Sequence, residues 1–176
     1  MMLLAISYPR IGINEFSLIQ DIRKKHDMES YELVEPHFTF IFPVTGIDKD
    51  IFIRHISITA SLTEKIKFTL HHAIAIYGEY DKKWYTFLIP QNGFDMMALL
   101  HHRLYTGVLI GKGEFNKPYI PHITVGCFER EENCRALVST INEQKWEIKG
   151  ELIELTVLSK SENTISELGR IKLLSK

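Results

Sequence analysis

The chain reads as an α+β protein of two pseudo-symmetric lobes around a central cleft, and three observations lead there. The stretch Pro36-His37-Phe38-Thr39-Phe40 is echoed 85 positions later by Pro121-His122-Ile123-Thr124-Val125. Around each echo the apolar patterning runs in the same order of strand, helix, motif strand, helix, strand. Between the two runs lies one short polar connection, Gly78-Glu79-Tyr80-Asp81-Lys82-Lys83, with no low-complexity tract or flexible linker. The expectation is a duplication with halves of about 1–80 and 84–176, packed together as one domain over 1–176.

Each element has its own reason. The apolar run over 3–8 is of strand type and is stopped by Pro9. Asn14 can cap a helix over about 15–26, with Glu15 in the first turn and Lys24 and Lys25 in the last, as the helix dipole prefers. Phe16, Leu18, Ile19 and Ile22 give that helix an apolar face. The first motif strand covers about 35–42 and closes at Pro43. Asp48 and Asp50 introduce a second helix to about Leu62, with Ile51, His55, Ile58 and Leu62 on one side. Residues 66–78 alternate as a long strand.

The second half repeats the order. A strand over 84–89 ends at Pro90, and Asn92-Gly93 opens a helix carrying Phe94, Met97, Leu100 and Leu104, closed by Gly107. A turn-rich approach through Lys117-Pro118 leads to the second motif strand over 119–128. Glu131-Glu132 begin a helix to about Gln144. Strands over 146–160 and 165–174 follow, joined by the polar turn 161–164.

Bulk composition narrows the function classes. A hydrophobic content of 45%, a charged content of 24% and a net charge of −1 describe an ordinary globular protein. That balance argues against a protein that binds long nucleic acid by counter-ion release, but leaves a small anion or an oligonucleotide end open. Two cysteines make no disulfide framework and read as free thiols in a reducing compartment. The N-terminal apolar run is too short for a signal peptide or a membrane span, so a cytoplasmic protein is expected.

The motifs carry the chemistry. In a strand, His37 and Thr39 share one face while Phe38 and Phe40 share the other, and the same holds for His122 and Thr124 against Ile123 and Val125. With 8 His and 6 Pro in 176 residues, chance supplies about 0.02 Pro-His-x-Thr; this chain has two. Two imidazoles facing one small anion suit acid–base catalysis near neutral pH, one as base toward water and one as acid toward the leaving oxygen. The threonine hydroxyls can hold non-bridging phosphate oxygens, and nothing in the scheme requires a metal or cofactor.

Paired His-x-Thr strands at this separation, in a chain of this size, resemble the two-histidine (2H) phosphoesterase superfamily, which includes 2′-5′ RNA ligase-like proteins and cyclic nucleotide phosphodiesterases. The resemblance implies a bilobed α+β fold with antiparallel sheets around the cleft. It implies His37 and His122 as the acid–base pair and Thr39 and Thr124 as phosphate ligands. It also implies a metal-independent phosphoesterase acting on 2′,3′-cyclic or 2′-5′ linkages of nucleotides or RNA ends. RNA-ligase-like members often carry a basic residue five positions after the second motif histidine; here that position is Cys127. The alternative from a different class is a nucleotide- or RNA-end-binding protein that uses the same anion pocket without turnover.

Other candidates are weaker. Tyr8, Arg10, Lys117 and Tyr119 flank the strands and could rim the cleft, a base stacking on Tyr and a phosphate near Arg or Lys. The pairs His71-His72 and His101-His102 diverge too far for chelation, and Gly111-Lys112-Gly113 is better read as a turn than as a phosphate loop. Alternation puts Cys127 on the face opposite Thr124, as a packed thiol. A small phosphoester or nucleotide is the expected partner, with no membrane and a monomeric state.

Overall fold

The computed structural model describes residues 1–113, 118–161 and 164–175. In chain order its elements are β1 (Met2–Ser7), β2 (Arg10–Ile11), α1 (Ile13–His26), α2 (Met28–Leu33), β3 (Phe38–Val44), α3 (Lys49–Ser61), β4 (Ile66–Gly78) and β5 (Lys83–Asn92). Then come α4 (Phe94–Leu104), β6 (Ile123–Phe128), α5 (Glu131–Glu143), β7 (Ile148–Leu152), β8 (Glu154–Ser161) and β9 (Thr164–Lys172). They form two antiparallel sheets, one of order β3-β1-β8-β9 and one of order β2-β7-β4-β5-β6. The fold is therefore the α+β, two-sheet architecture expected.

The sheets do not follow the sequence halves. The four-stranded sheet joins β1 and β3 to β8 and β9, and β4 pairs along its length with β5 in the other sheet. The expected seam near Tyr80 to Lys83 is the tip of that hairpin, where Lys82 takes φ 60 and its N–H donates to Gly78 O. Two long apolar strands four residues apart in sequence pair locally, because closing so short a loop costs little entropy.

Helices cover one face of each sheet. α5 packs on β4, β5 and β6, and Asn142 bonds both the N–H and the carbonyl of Ala73. α1 packs on β6, α4 on β3, and α3 on β8 and β9. The main apolar cluster runs from Phe38, Phe40 and Phe52 to Leu88, Val125 and Ile141, and a smaller one joins Leu4, Ile6 and Leu158.

Several local expectations are revised. α1 is capped by Gly12, not Asn14. α3 has the expected Asp48 cap, whose carboxylate accepts from the N–H groups of Asp50 and Ile51, but it buries Phe52, Ile56 and Ala60 and leaves Ile51, Ile58 and Leu62 exposed. The apolar residues lie on several sides of this helix, so only its neighbours could choose the inner face. β5 continues through Pro90 to Asn92, since irregular pairing beside Leu70 leaves a gap in the ladder that tolerates a proline. The short helix α2 is additional. Arg23 of α1 is buried and donates to the carbonyls of Ser30 and Val34, fixing the segment that leads into Pro36.

Candidate active site

Each motif follows an edge. β3 is the outer strand of the four-stranded sheet and β6 the outer strand of the five-stranded one. Phe38, Phe40, Ile123 and Val125 are fully buried, whereas His37, Thr39, His122 and Thr124 remain partly open. Alternation thus turns both His-Thr faces away from the core. The two histidines lie close enough for the charge of His37 to depress the pKa of His122. Among the described residues neither Thr39 nor Thr124 spends its side-chain hydroxyl on a protein partner.

The two imidazoles are held by the same device. His37 Nδ1 lies 2.8 Å from Glu35 O, and His122 Nδ1 lies 2.6 Å from Ile120 O. A carbonyl only accepts, so each Nδ1 carries a proton and donates it, leaving each Nε2 as the free acceptor of the neutral ring. The proline between explains the geometry. Pro36 and Pro121 hold the preceding residue extended, which fits its carbonyl to meet the ring two positions on.

Both histidines have pKa values lowered to about 4. Desolvation is the leading cause in each case, since protein crowds most of each ring and strips the cation of hydration. The carbonyl contacts oppose the shift. Arg23 adds to it at His37, and His37 adds to it at His122. In the unliganded protein at neutral pH both rings are uncharged.

The walls differ between lobes. The ring of Phe87 stacks on His122 at 3.5 Å between centroids and 11° between planes, and Tyr85 follows at 6.1 Å from Phe87. Tyr8 meets His37 edge-on at 6.4 Å, and the Arg170 guanidinium lies 5.9 Å above the Tyr8 ring, held by Glu154 and Glu167. Tyr119 donates to Thr39 O at 2.7 Å and stacks on His101 at 3.8 Å, while His101 Nδ1 donates to Phe40 O at 2.8 Å. The chain entering the second motif is thereby clamped to the strand of the first.

These neighbours bear differently on the sequence candidates. Tyr8 stands beside His37. Tyr119 has its hydroxyl and one ring face occupied by the clamp. Arg10 lies on β2, at the far edge of the five-stranded sheet from β6. Lys117 lies outside the described residues. Among the described residues no three His, Cys, Asp or Glu side chains gather as for a metal ion.

A family model for the 2′-5′ RNA ligase superfamily matches residues 9–164. The chain belongs to that superfamily. Its members are phosphoesterases and ligases. No curated protein sequence matches the chain. Among solved structures, TT0787 of Thermus thermophilus aligns with a TM-score of 0.65 at 13% identity, over 98% of each chain. LigT of E. coli complexed with 3′-AMP gives 0.58 at 16% identity, over 99% of this chain and 98% of its own. Kluyveromyces marxianus Usb1 with uridine monophosphate gives 0.53 at 7%, over 95% and 97%. At such identities the likeness is one of fold.

Within the superfamily pattern, Cys127 calls for a correction. The pairing of β5 with β6 slips between Thr86 and Phe87, so that Tyr85 faces Cys127 while Phe87 faces Thr124. Val125 is the extra residue, and the bulge reverses the phase of alternation. Cys127 therefore shares the open face with Thr124, against Tyr85 and near Lys83, with its thiol pKa raised by burial. Phe87, Arg170 and His101 carry no sequence signal as site residues. Only the alternation of the run over 84–89 hints that Phe87 sits on an open face.

Proposed function

We propose that the chain is a metal-independent phosphoesterase that hydrolyses, or in reverse forms, 2′,3′-cyclic or 2′-5′ phosphodiester bonds of nucleotides or RNA ends. The observation that carries this reading is the matched pair of Nδ1-anchored imidazoles, each on a strand face shared with a partly open threonine whose hydroxyl has no partner among the described residues. In hydrolysis of a 2′,3′-cyclic phosphate, one neutral Nε2 takes a proton from water as its oxygen attacks phosphorus. The other imidazole, protonated, gives its proton to the ribose oxygen as the P–O bond breaks. Thr39 and Thr124 donate to the non-bridging oxygens and hold the phosphate in line.

A pair of neutral rings lacks the acid it needs, and the substrate supplies the remedy. An anion between the rings favours the charged form of one imidazole, so binding brings a proton with it. Anion affinity is then expected to rise as pH falls from 7 toward 5. Sulfate, which does not titrate in that range, tests this by calorimetry in two buffers of different ionisation enthalpy. Proton uptake near zero would remove the mechanism by which the acid is loaded.

The lowered pKa values also favour a second reading, a nucleotide- or RNA-end-binding protein whose neutral rings only accept hydrogen bonds. Single-turnover assays on the four 2′,3′-cyclic mononucleotides, across pH, separate the two. The phosphoesterase yields product with a bell-shaped profile whose limbs belong to the coupled pair. A pure binder yields affinity and no product.

A further inference from the structure

The open face of the five-stranded sheet does not end at the two histidines. In β4, Ile66, Phe68, Leu70 and Ala73 face the core, with His71 the extra residue at an irregular pairing. The opposite face of β4 therefore carries Lys67 and Thr69, then His72, Ile74 and Ile76. The cross-strand partners continue this surface. Ile74 pairs with Phe87 and Phe87 with Thr124, beside the site. At the other end Lys67 pairs with Glu151, Glu151 with Arg10, and Thr69 with both Lys149 and Asn92. Ile74, Ile76, Phe87 and Ile89 are all partly exposed, a strip of apolar floor between the two ends.

The far end is a depression lined by Arg10, Lys67, Thr69, Asn92, Lys149 and Glu151. It holds three cations and one carboxylate. Among the described residues neither Arg10 nor Lys67 has an ion-pair partner. Lys149 meets Glu147 at 2.9 Å, where both side chains are more than half exposed and the pair is screened by solvent. Asn92 and Thr69 add neutral hydrogen-bonding groups. Apolar and aromatic floor with a cationic end is the surface that single-stranded nucleic acid uses, bases on the floor and phosphates at the cations.

From this placement we infer that the cleft extends along the five-stranded sheet to a distal phosphate subsite formed by Arg10, Lys67 and Lys149. The subsite takes an internal phosphodiester of a single-stranded oligonucleotide whose terminal phosphoester lies between His37 and His122. The inference rests on the phosphoesterase reading for its terminal group. From β6 to β2 is four strand spacings, about 19 Å across the sheet, and Lys67 on β4 lies seven positions along its strand from Ile74 in the row of Thr124, about 20 Å away; a mononucleotide cannot bridge either. Glu151 lies between Arg10 and Lys67 and limits the attraction, so its charge and theirs have opposite effects.

The test is a length series of oligoribonucleotides ending in a 2′,3′-cyclic phosphate, from the mononucleotide to the octanucleotide. The reading is the ratio of kcat/KM for each length to that for the mononucleotide. In the wild type this ratio is expected to climb with length and then level, and the longest substrates to show a salt slope steeper by about 0.7 for each phosphate neutralised. In Lys67→Gln/Lys149→Gln the ratio falls toward one and the salt slope loses about 0.7, the share of the one phosphate held there. In Glu151→Gln the ratio rises, an opposite sign that a merely structural role does not produce. A ratio flat with length, or unchanged in the double variant, overturns the subsite. Absence of turnover across the whole series overturns the phosphoesterase reading instead. The subsite is then judged by anisotropy titration of labelled 3′-phosphorylated oligonucleotides with the same variants: length-dependent affinity lost in the double variant supports it, and its persistence overturns it.

Discussion

His37 and His122 are alike in backbone and unlike in surroundings. Each donates Nδ1–H to the carbonyl two residues upstream across a proline, and each has its pKa lowered to about 4. Yet His37 meets the edge of Tyr8, with the Arg170 guanidinium beyond and Arg23 near, while His122 lies flat on Phe87 with Tyr85 beyond. The difference teaches that tautomer and orientation are local properties, written within three residues. Desolvation is a property of the neighbours, and different neighbours reach the same result.

The largest expected effect tests whether the two histidines act as one unit. His37→Ala and His122→Ala should each lower kcat by roughly 10²–10⁴-fold, read by single-turnover hydrolysis of a cyclic nucleotide. The double variant should lose clearly less than the product of the single losses, because residues acting together are non-additive. Full activity in a folded His122→Ala protein would break the pairing.

Next come the threonines. Thr39→Val and Thr124→Val each remove a hydroxyl that donates to a charged phosphate, a bond of about 1.5–3 kcal/mol, so kcat/KM should drop roughly 10- to 100-fold. The melting temperature should barely change, since among the described residues neither hydroxyl has a protein partner. A loss confined to one of the two would show that the phosphate leans on one lobe.

The dissimilar walls are separated by their own variants. Phe87→Ala opens the ring of His122 to water and should raise its pKa toward 6.5 while leaving His37 near 4; Tyr8→Ala should do the reverse. Nuclear magnetic resonance titration of the imidazole protons reads both. Joint movement in either variant would mean that one shared field, rather than separate neighbours, sets the two values. The same shifts bear on stability. The unfolded chain takes up protons near pH 6.5 and the folded chain only near 4, so the histidine contribution is complete above about 6.5 and is lost as pH falls from there to 4. Denaturant titrations should show this acid slope, and His37→Gln/His122→Gln should flatten it.

The smallest effect concerns the clamp between the motifs. Tyr119→Phe removes the bond to Thr39 O and should cost about 1 kcal/mol of stability. The more telling readout is activity: if the clamp holds the motifs in register, kcat falls while KM for a cyclic mononucleotide changes little.

That His37 and Thr39, and His122 and Thr124, share an open face was legible in the sequence because strand alternation is a local rule, readable from five consecutive side chains. The Asp48 cap, the long alternating strand over 66–78 and the two-lobed α+β class were legible for the same reason, each resting on spacing within one element. Pairing between distant segments was decided by the tertiary structure. Strands from opposite ends of the chain share a sheet, α3 buries Phe52 and Ile56 instead of Ile51 and Ile58, and a single extra residue at Val125 turns Cys127 onto the open face. Phe87 against His122, Arg170 over Tyr8 and Tyr119 on His101 join residues far apart in sequence. The physical reason is that register and bulges are set by the packing of whole layers, and a slip of one residue exchanges the faces of everything that follows.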